Sequence, residues 1–192
     1  REAHGQTSVL CRVSGAKLPV EVRLRAAGKD AFAAGIHMPA ALNLDEVELP
    51  LDHLGDTLPL VRMEGISHLV VTSHSPFHAL LDKRDLAERA VHDWCRELRA
   101  NGLGLMFLDG GLDEESCRMT PLVYVPGSST VFWEHSCASG SSAVGMYAAR
   151  QQGAAIDLLL VEPGGTLRVT SDPQTGETWL FGTCVLQKWY RC

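Results

Sequence analysis

Cys137 stands at the junction of two very different stretches. Before it runs an aromatic, β-type segment, Thr130-Val131-Phe132-Trp133. After it come small residues, Ala138-Ser139-Gly140-Ser141-Ser142, and then an almost uncharged run through Ala143, Val144, Met146, Tyr147, Ala148 and Ala149. The pattern predicts a strand, a turn and a buried helix over Ser141–Gln152, with Gly153 as its stop. A thiol just ahead of a helix faces free backbone N–H groups and the positive end of the helix dipole, which lower its pKa and favour the thiolate. The same amides, from Ser139 to Ser142, are suited to hold a carboxylate or a phosphate, and small residues let a ligand reach the backbone. Glu134 places a carboxylate three residues before the thiol. On these residues alone, the alternative is a buried free cysteine beside an ordinary capped helix.

Other reactive groups are more scattered. Six cysteines, at 11, 95, 117, 137, 184 and 192, contain no C-x-x-C pair and are too sparse for a disulfide scaffold, so reduced thiols in a cytoplasmic protein are expected. Among eight histidines, His74 and His78 lie four apart, as do Glu64 and His68. Pro76 interrupts the first pair and no third ligand follows at a recognisable spacing, so no metal site is expected. A cysteine hydrolase is a second way to use the thiol, with His68 or His135 as base. His135 is two residues from Cys137, so on a strand both side chains share a face.

The elements that must position these groups are mostly strands. The 192 residues carry a formal net charge of −6, 45% hydrophobic and 21% charged residues, a balance typical of a globular core. No basic stripe suggests nucleic acid, and no apolar run approaches a membrane-spanning length, so neither partner is expected. Strands are predicted at 7–13, 18–25, 31–38, 67–72, 104–108, 122–125, 130–133, 156–161, 167–170 and 177–181. Residues 39–60, rich in proline, leucine and acid, read as a connection with short extended pieces. A helix is predicted over Lys83–Ala100, with Ala87, Ala90, Val91, Trp94, Cys95 and Leu98 on one face. Asp82 is its expected N-cap and Asn101-Gly102 its expected stop. Many strands with a buried helix give an α+β class.

The chain also repeats itself. Arg1-Glu2-Ala3-His4-Gly5 aligns with Ala149-Arg150-Gln151-Gln152-Gly153 at an offset of 148. Gly15-Ala16-Lys17-Leu18-Pro19-Val20 aligns with Gly164-Gly165-Thr166-Leu167-Arg168-Val169 at 149, and Gly28-Lys29 with Gly176-Glu177 at 148. Hairpins with glycine turns resemble one another, and that accounts for part of the likeness. The near-constant offset implies that Arg1 opens on the tail of a helix equivalent to Ser141–Gln152, and that the counterpart of Cys137 falls twelve residues before Arg1, at position −11.

Glu-His-Ser-Cys-Ala-Ser-Gly-Ser (134–141) resembles the second cysteine motif of the diaminopimelate epimerase superfamily. It is most similar to the branch that contains histidine racemases of opine-metallophore biosynthesis. Gly65-Ile66-Ser67-His68 resembles the family's Gly-Asn-Pro-His strand end, Gly102–Phe107 the stretch after its C-domain helix, and Pro163-Gly164-Gly165-Thr166-Leu167 its Pro-Gly-Gly-x-Leu hairpin. The Ser-Pro-Cys-Gly-Thr-Gly of proline racemases is a poorer match.

The resemblance implies two pseudo-symmetric halves, each a sheet curled around a central helix. Residues 1–38 would then be the closing strands of a truncated N-terminal half and 39–183 the C-terminal half. Residues 184–192 would form a last strand returning to the first half. It implies an amino-acid racemase or epimerase that needs no pyridoxal phosphate, metal or other cofactor. One cysteine from each half faces the substrate α-carbon, so the missing half is the chain's necessary partner. Cys137 takes one of these roles. Glu134 orients or deprotonates its thiol, or binds the substrate amino group. His68, Ser139, Gly140 and Ser141 line the substrate site, and a homodimer is possible.

The departures guide the substrate. Pro126-Gly127-Ser128-Ser129 stands where diaminopimelate epimerases carry Glu-Arg-Gly, and Ile66 and Gly104 replace two asparagines. That points away from diaminopimelate, with histidine as the favoured amino acid. A non-catalytic member that binds an amino acid or a protein partner is the remaining alternative.

Overall fold

Leu103–Leu108 and Leu69–Val71 are apolar at consecutive positions, so strands there present apolar side chains on both faces and need cover on both sides. The computed structural model describes residues 7–12, 17–51 and 54–185, and its two α-helices provide that cover. In chain order the strands are β1 (Thr7–Cys11), β2 (Val20–Ala26), β3 (Ala31–Met38), β4 (Asn43–Leu51), β5 (Leu54–Arg62) and β6 (Ser67–Val71). Helix α1 (Arg84–Glu97), β7 (Leu103–Asp109), β8 (Ser116–Val125) and β9 (Thr130–Trp133) follow. Helix α2 (Ala138–Gln152), β10 (Ile156–Glu162), β11 (Gly165–Ser171) and β12 (Thr178–Val185) complete the described chain. The strands form one mixed sheet in the order β1-β2-β3-β12-β11-β10-β8-β7-β6-β5-β4, with β9 paired to β8. This is the expected α+β class.

Two parallel pairs explain where the helices go. β6 runs parallel to β7 and β8 parallel to β10, while β7 and β8 are antiparallel. Each parallel pair needs a crossover, α1 for the first and α2 for the second. Both crossovers step the same way along the sheet but start from strands of opposite direction. Right-handed connections therefore place the helices on opposite faces. The packing agrees. Leu69, Val71, Leu105 and Phe107 join Trp94 and Val91 of α1 in one core, and Val70, Met106 and Leu108 join Val144 and Ala148 of α2 in the other. Helix α2 touches strands from β12 and β11 round to β6 and β5, so the sheet curls about it.

Several local expectations are corrected. Helix α1 starts after Lys83, which makes no side-chain cap, and Asp82 instead ends a 3-10 turn over Pro76–Asp82 whose start is capped by Ser75. The chain leaves α1 through a left-handed residue at Arg99, before Asn101-Gly102. Asn43–Leu51 and Leu54–Arg62 pair as regular antiparallel strands rather than forming a loose connection. Pro50 and Pro59 disguise the pairing, yet both are tolerable: β4 is the edge strand, and Pro59 lies beyond the stretch of β5 that pairs with β6. β8 begins at Ser116, six residues before the expected Leu122. β10 extends one residue past the expected 161 and alternates, with Ile156, Leu158, Leu160 and Glu162 inside and Asp157 outside, paired to Arg168.

β1-β2-β3 and β10-β11-β12 are antiparallel three-strand units of the same order, joined edge to edge by β3 against β12. Cys184 and Val185 pair with Phe32 and Ala31. The remainder of the expected last strand, 186–192, lies outside the described residues, as do residues 1–6 and 13–16 of the repeat. On the α2 side of the sheet, Val9, Val22, Leu24, Phe32, Ala34 and Ile36 continue the apolar face. Among the described residues no helix covers them, and Val9 and Phe32 remain 38% and 37% exposed.

Close contact of α2 with β11 depends on Gly145, where an added Cβ would lie 2.5 Å from Val169 Cγ2. Valine is stiff at this position and cannot swing aside. Gly145→Ala should therefore lower stability by about 1–3 kcal/mol through overpacking, despite the roughly 1 kcal/mol that alanine gains in a helix. Chemical denaturation of the two proteins measures the difference.

Candidate active site

Helix α2 begins at Ala138, three residues earlier than expected, because Cys137 itself is the N-cap. Its extended backbone turns the carbonyl into the helix, where it accepts from the Ser141 amide at 2.8 Å. Its own amide points the other way and donates to Glu162 Oε2 at 2.7 Å. The Ser141 hydroxyl lies 2.6 Å from Glu162 Oε1 and 2.8 Å from the Cys137 carbonyl, so one proton is shared between two acceptors. Serine at 141 thus ties the helix start together. The amides of Ala138 and Ser139 have no acceptor among the described residues and remain the free donors of the helix end.

The thiol of Cys137 is 6% exposed. Burial pushes it up to about 12, the charge of Glu134 adds to that, and hydrogen bonds from the Gly140 amide and the Ser139 hydroxyl oppose it. This corrects the expectation of a lowered pKa: the cost of burying a thiolate beside a carboxylate outweighs the helix-end donors. In this chain the resting form is the neutral thiol. A Cβ at Gly140 would force the Met106 side chain aside and crowd the thiol at 3.1 Å.

His68 reaches the same point from the sheet. It lies on the α2 face of β6, wholly buried, with Nε2 3.0 Å from Ser139 Oγ; the tautomer decides which atom donates. Ser139 Oγ in turn lies 3.7 Å from Cys137 Sγ. Burial lowers the imidazole to about 3, so it is neutral. Nδ1 has no partner among the described residues and faces Gly104, whose missing side chain leaves room for the ring. The structure therefore brings Cys137, Glu134, His68, Ser139, Gly140 and Ser141 to one end of α2.

His135 is not part of this group. Its side chain is exposed and packs against Gly164. A direct thiol–imidazole pair, as a cysteine hydrolase requires, is absent among the described residues, because His68 meets the thiol only through Ser139. Of the paired metal candidates, His78 sits 3.0 Å from Asp109 and Glu64 pairs with Lys17 at 2.8 Å. No group of three His, Cys, Asp or Glu residues placed to hold a metal occurs among the described residues. Two surface concavities, one beside Arg23, Arg168 and Phe181 and one beside Pro50 and α1, lie away from Cys137. No described helix is long and apolar enough to cross a membrane.

Sequence reasoning missed Glu162. It is 5% exposed and holds Cys137 and Ser141 with its two oxygens. Burial raises its pKa, the Ser141, Cys137 and Ser136 hydrogen bonds resist the rise, and Glu134 adds to it. The period of β10 was the available signal, since every second residue from Ile156 points inward and Glu162 continues that series.

Comparison with known proteins places this geometry in a family. Residues 1–179 match the family model described as the histidine racemase CntK N-terminal domain. The matched interval includes residue 38, where the repeat suggests a boundary between halves. A histidine racemase of Fusobacterium nucleatum subsp. nucleatum is 31% identical over 144 residues, 73% of this chain and 49% of that protein. Its counterpart in a second strain is 30% identical over the same length, 48% of that protein. A histidine racemase of Staphylococcus aureus is 32% identical over 79 residues, 41% of this chain and 27% of that protein. The chain thus spans about half the length of the Fusobacterium relatives. With the family model covering nearly all of it, the chain belongs to the histidine racemase CntK N-terminal domain family.

Proposed function

We propose that this chain supplies one acid/base thiol, Cys137, to a cofactor-independent histidine racemase with a diaminopimelate-epimerase-like fold. The observation that carries the reading is a thiol held at the start of a buried helix, beside unpaired amides and shielded from water. An amino-acid α-proton is weakly acidic, and its removal leaves charge that spreads into the carboxylate. The Ala138 and Ser139 amides and the positive end of α2 are suited to hold that carboxylate in a dry site. Cys137 then exchanges a proton with one face of the α-carbon while a second cysteine, from outside residues 1–192, serves the other.

The uncovered apolar face of β1–β3 supports the division into halves at residue 38, since a helix of the other half would bury it. The matching order of β1-β2-β3 and β10-β11-β12 supports it too. Among the described residues, the cysteines at 11, 95, 117, 137 and 184 are free, which suits a reducing, cytoplasmic setting.

The test incubates the complete protein with L- and D-histidine in deuterated water, without added pyridoxal phosphate or metal. Racemisation with solvent deuterium at Cα is the expected result. Retention of the α-proton, or a strict need for pyridoxal phosphate, overturns the mechanism. Activity on another amino acid alone overturns only the substrate.

A further inference from the structure

Glu162 is a carboxylate with almost no access to water, and the residues around it are arranged to keep it there. Oε2 accepts from the Cys137 amide at 2.7 Å and Oε1 faces the Ser141 hydroxyl at 2.6 Å. A helix start is ordinarily capped by the side chain of its own N-cap residue. Cys137 makes no such cap, and the carboxylate comes instead from β10, 25 residues further on. The N-cap side chain is thereby left free for other work. The same arrangement sets a buried negative charge against the backbone of the reactive residue. In the repeat, the offset of 149 places Val13 opposite Glu162, so the equivalent position in the other half carries no charge.

We propose that Glu162 is a positioning residue for Cys137: it fixes the amide that aims the thiol, and its buried charge keeps Cys137 protonated at rest, as the proton donor of the pair. This rests on the racemase reading above. In the resting form, the partner cysteine's thiolate takes the α-proton and the C–H electron pair stays on the substrate. The Cys137 S–H bond then breaks, its proton adds to the opposite face of Cα, and Cys137 ends as the thiolate. The groups facing Cys137 are Glu134 from the segment after β9, Glu162 from β10, the neutral His68 from β6, and the hydroxyls of Ser139 and Ser141 from α2. From β7 come only Gly104 and Met106. Glu134 and Glu162 are the charged members: Glu134 raises the thiol, and Glu162 sets a second, buried carboxylate against the Cys137 amide.

The test titrates the thiolate absorbance of the complete protein against pH, with Cys137→Ser as the blank that isolates Cys137. Glu162→Gln can keep the clamp, because its carbonyl accepts from the Cys137 amide and its NH2 donates to Ser141 Oγ, whose proton turns to the Cys137 carbonyl. Only the charge is lost. The thiolate fraction at a fixed pH below the midpoint should rise about tenfold, one pKa unit. A curve coincident with the parent's overturns the proposal. Glu162→Asp keeps the charge but cannot span both donors. Its thiolate curve should stay within about twofold of the parent's while kcat for histidine falls at least about fivefold with KM little changed, the pattern of a misaimed group. Parent-like turnover in Glu162→Asp also overturns the proposal, and this variant decides the matter if Glu162→Gln does not fold. If the parent fails to racemise any amino acid, the racemase reading falls, while the thiolate curves still decide what Glu162 does to Cys137.

Discussion

Replacing Cys137 by serine in the complete protein should reduce histidine racemisation by about a hundred- to ten-thousandfold, the range that a positioned acid/base group contributes. A serine hydroxyl is a far weaker acid than a thiol, even one raised to about 12 by burial, and it cannot return a proton to a carbanion at a matching rate. The substitution itself is mild. Oxygen is smaller than sulfur, the Cys137 backbone is held by Glu162 and Ser141 rather than by its side chain, and serine is a good N-cap. Circular dichroism should therefore be unchanged while chiral chromatography shows the loss. Solvent exchange of one enantiomer's α-proton can survive, because the opposite cysteine still removes a proton from its own face. Racemisation within about tenfold of the parent would show that Cys137 is not an acid/base group.

The other large effect belongs to stability, with chemistry untouched. Trp94→Ala should cost about 3–5 kcal/mol, as expected for emptying a large aromatic site. Trp94 is 2% exposed, packs edge-on against Phe77 with ring centroids 5.1 Å apart, and donates from Nε1 to the Pro50 carbonyl at 2.9 Å. It thus pins α1 to the edge strand β4. Because α1 lies on the sheet face opposite α2, the Cys137 environment should not change. The variant should unfold at markedly lower urea while kcat per folded molecule at low temperature stays within about twofold. A parallel collapse of activity in folded protein would mean the two cores are coupled.

Helical periodicity and strand alternation exposed much of this fold before any coordinates. The apolar face of α1 was legible because its six residues recur at helical spacing. Cys137 was legible because a strand, a thiol and a run of small residues follow one another in sequence. What stayed hidden depended on partners far along the chain. The true start of α2 is set by Glu162, and no local rule makes a carboxylate from β10 the cap of a helix that precedes it. The raised thiol pKa was hidden for the same reason, since the helix end is local but the burial and the carboxylates around it are tertiary. The β4–β5 hairpin was masked by prolines that are harmless only because of where the strands lie in the sheet. The His68–Ser139 contact joins positions 71 residues apart, and only the curl of the sheet around α2 brings them together.

The seam between β3 and β12 has a kinetic meaning. Its eight residue pairs, from Thr178 against Met38 to Val185 against Ala31, join positions 140 to 154 residues apart. Each of these pairings closes a long loop, and contacts of that separation form late. During synthesis the β2–β3 hairpin must therefore wait with an unpaired edge until nearly the whole described chain has emerged. That edge is apolar on one side at Phe32, Ala34 and Ile36, so the nascent chain exposes a strand able to pair with a neighbour. Conditions that slow synthesis or crowd nascent chains should reduce the yield of folded protein more than the stability of the finished fold would suggest.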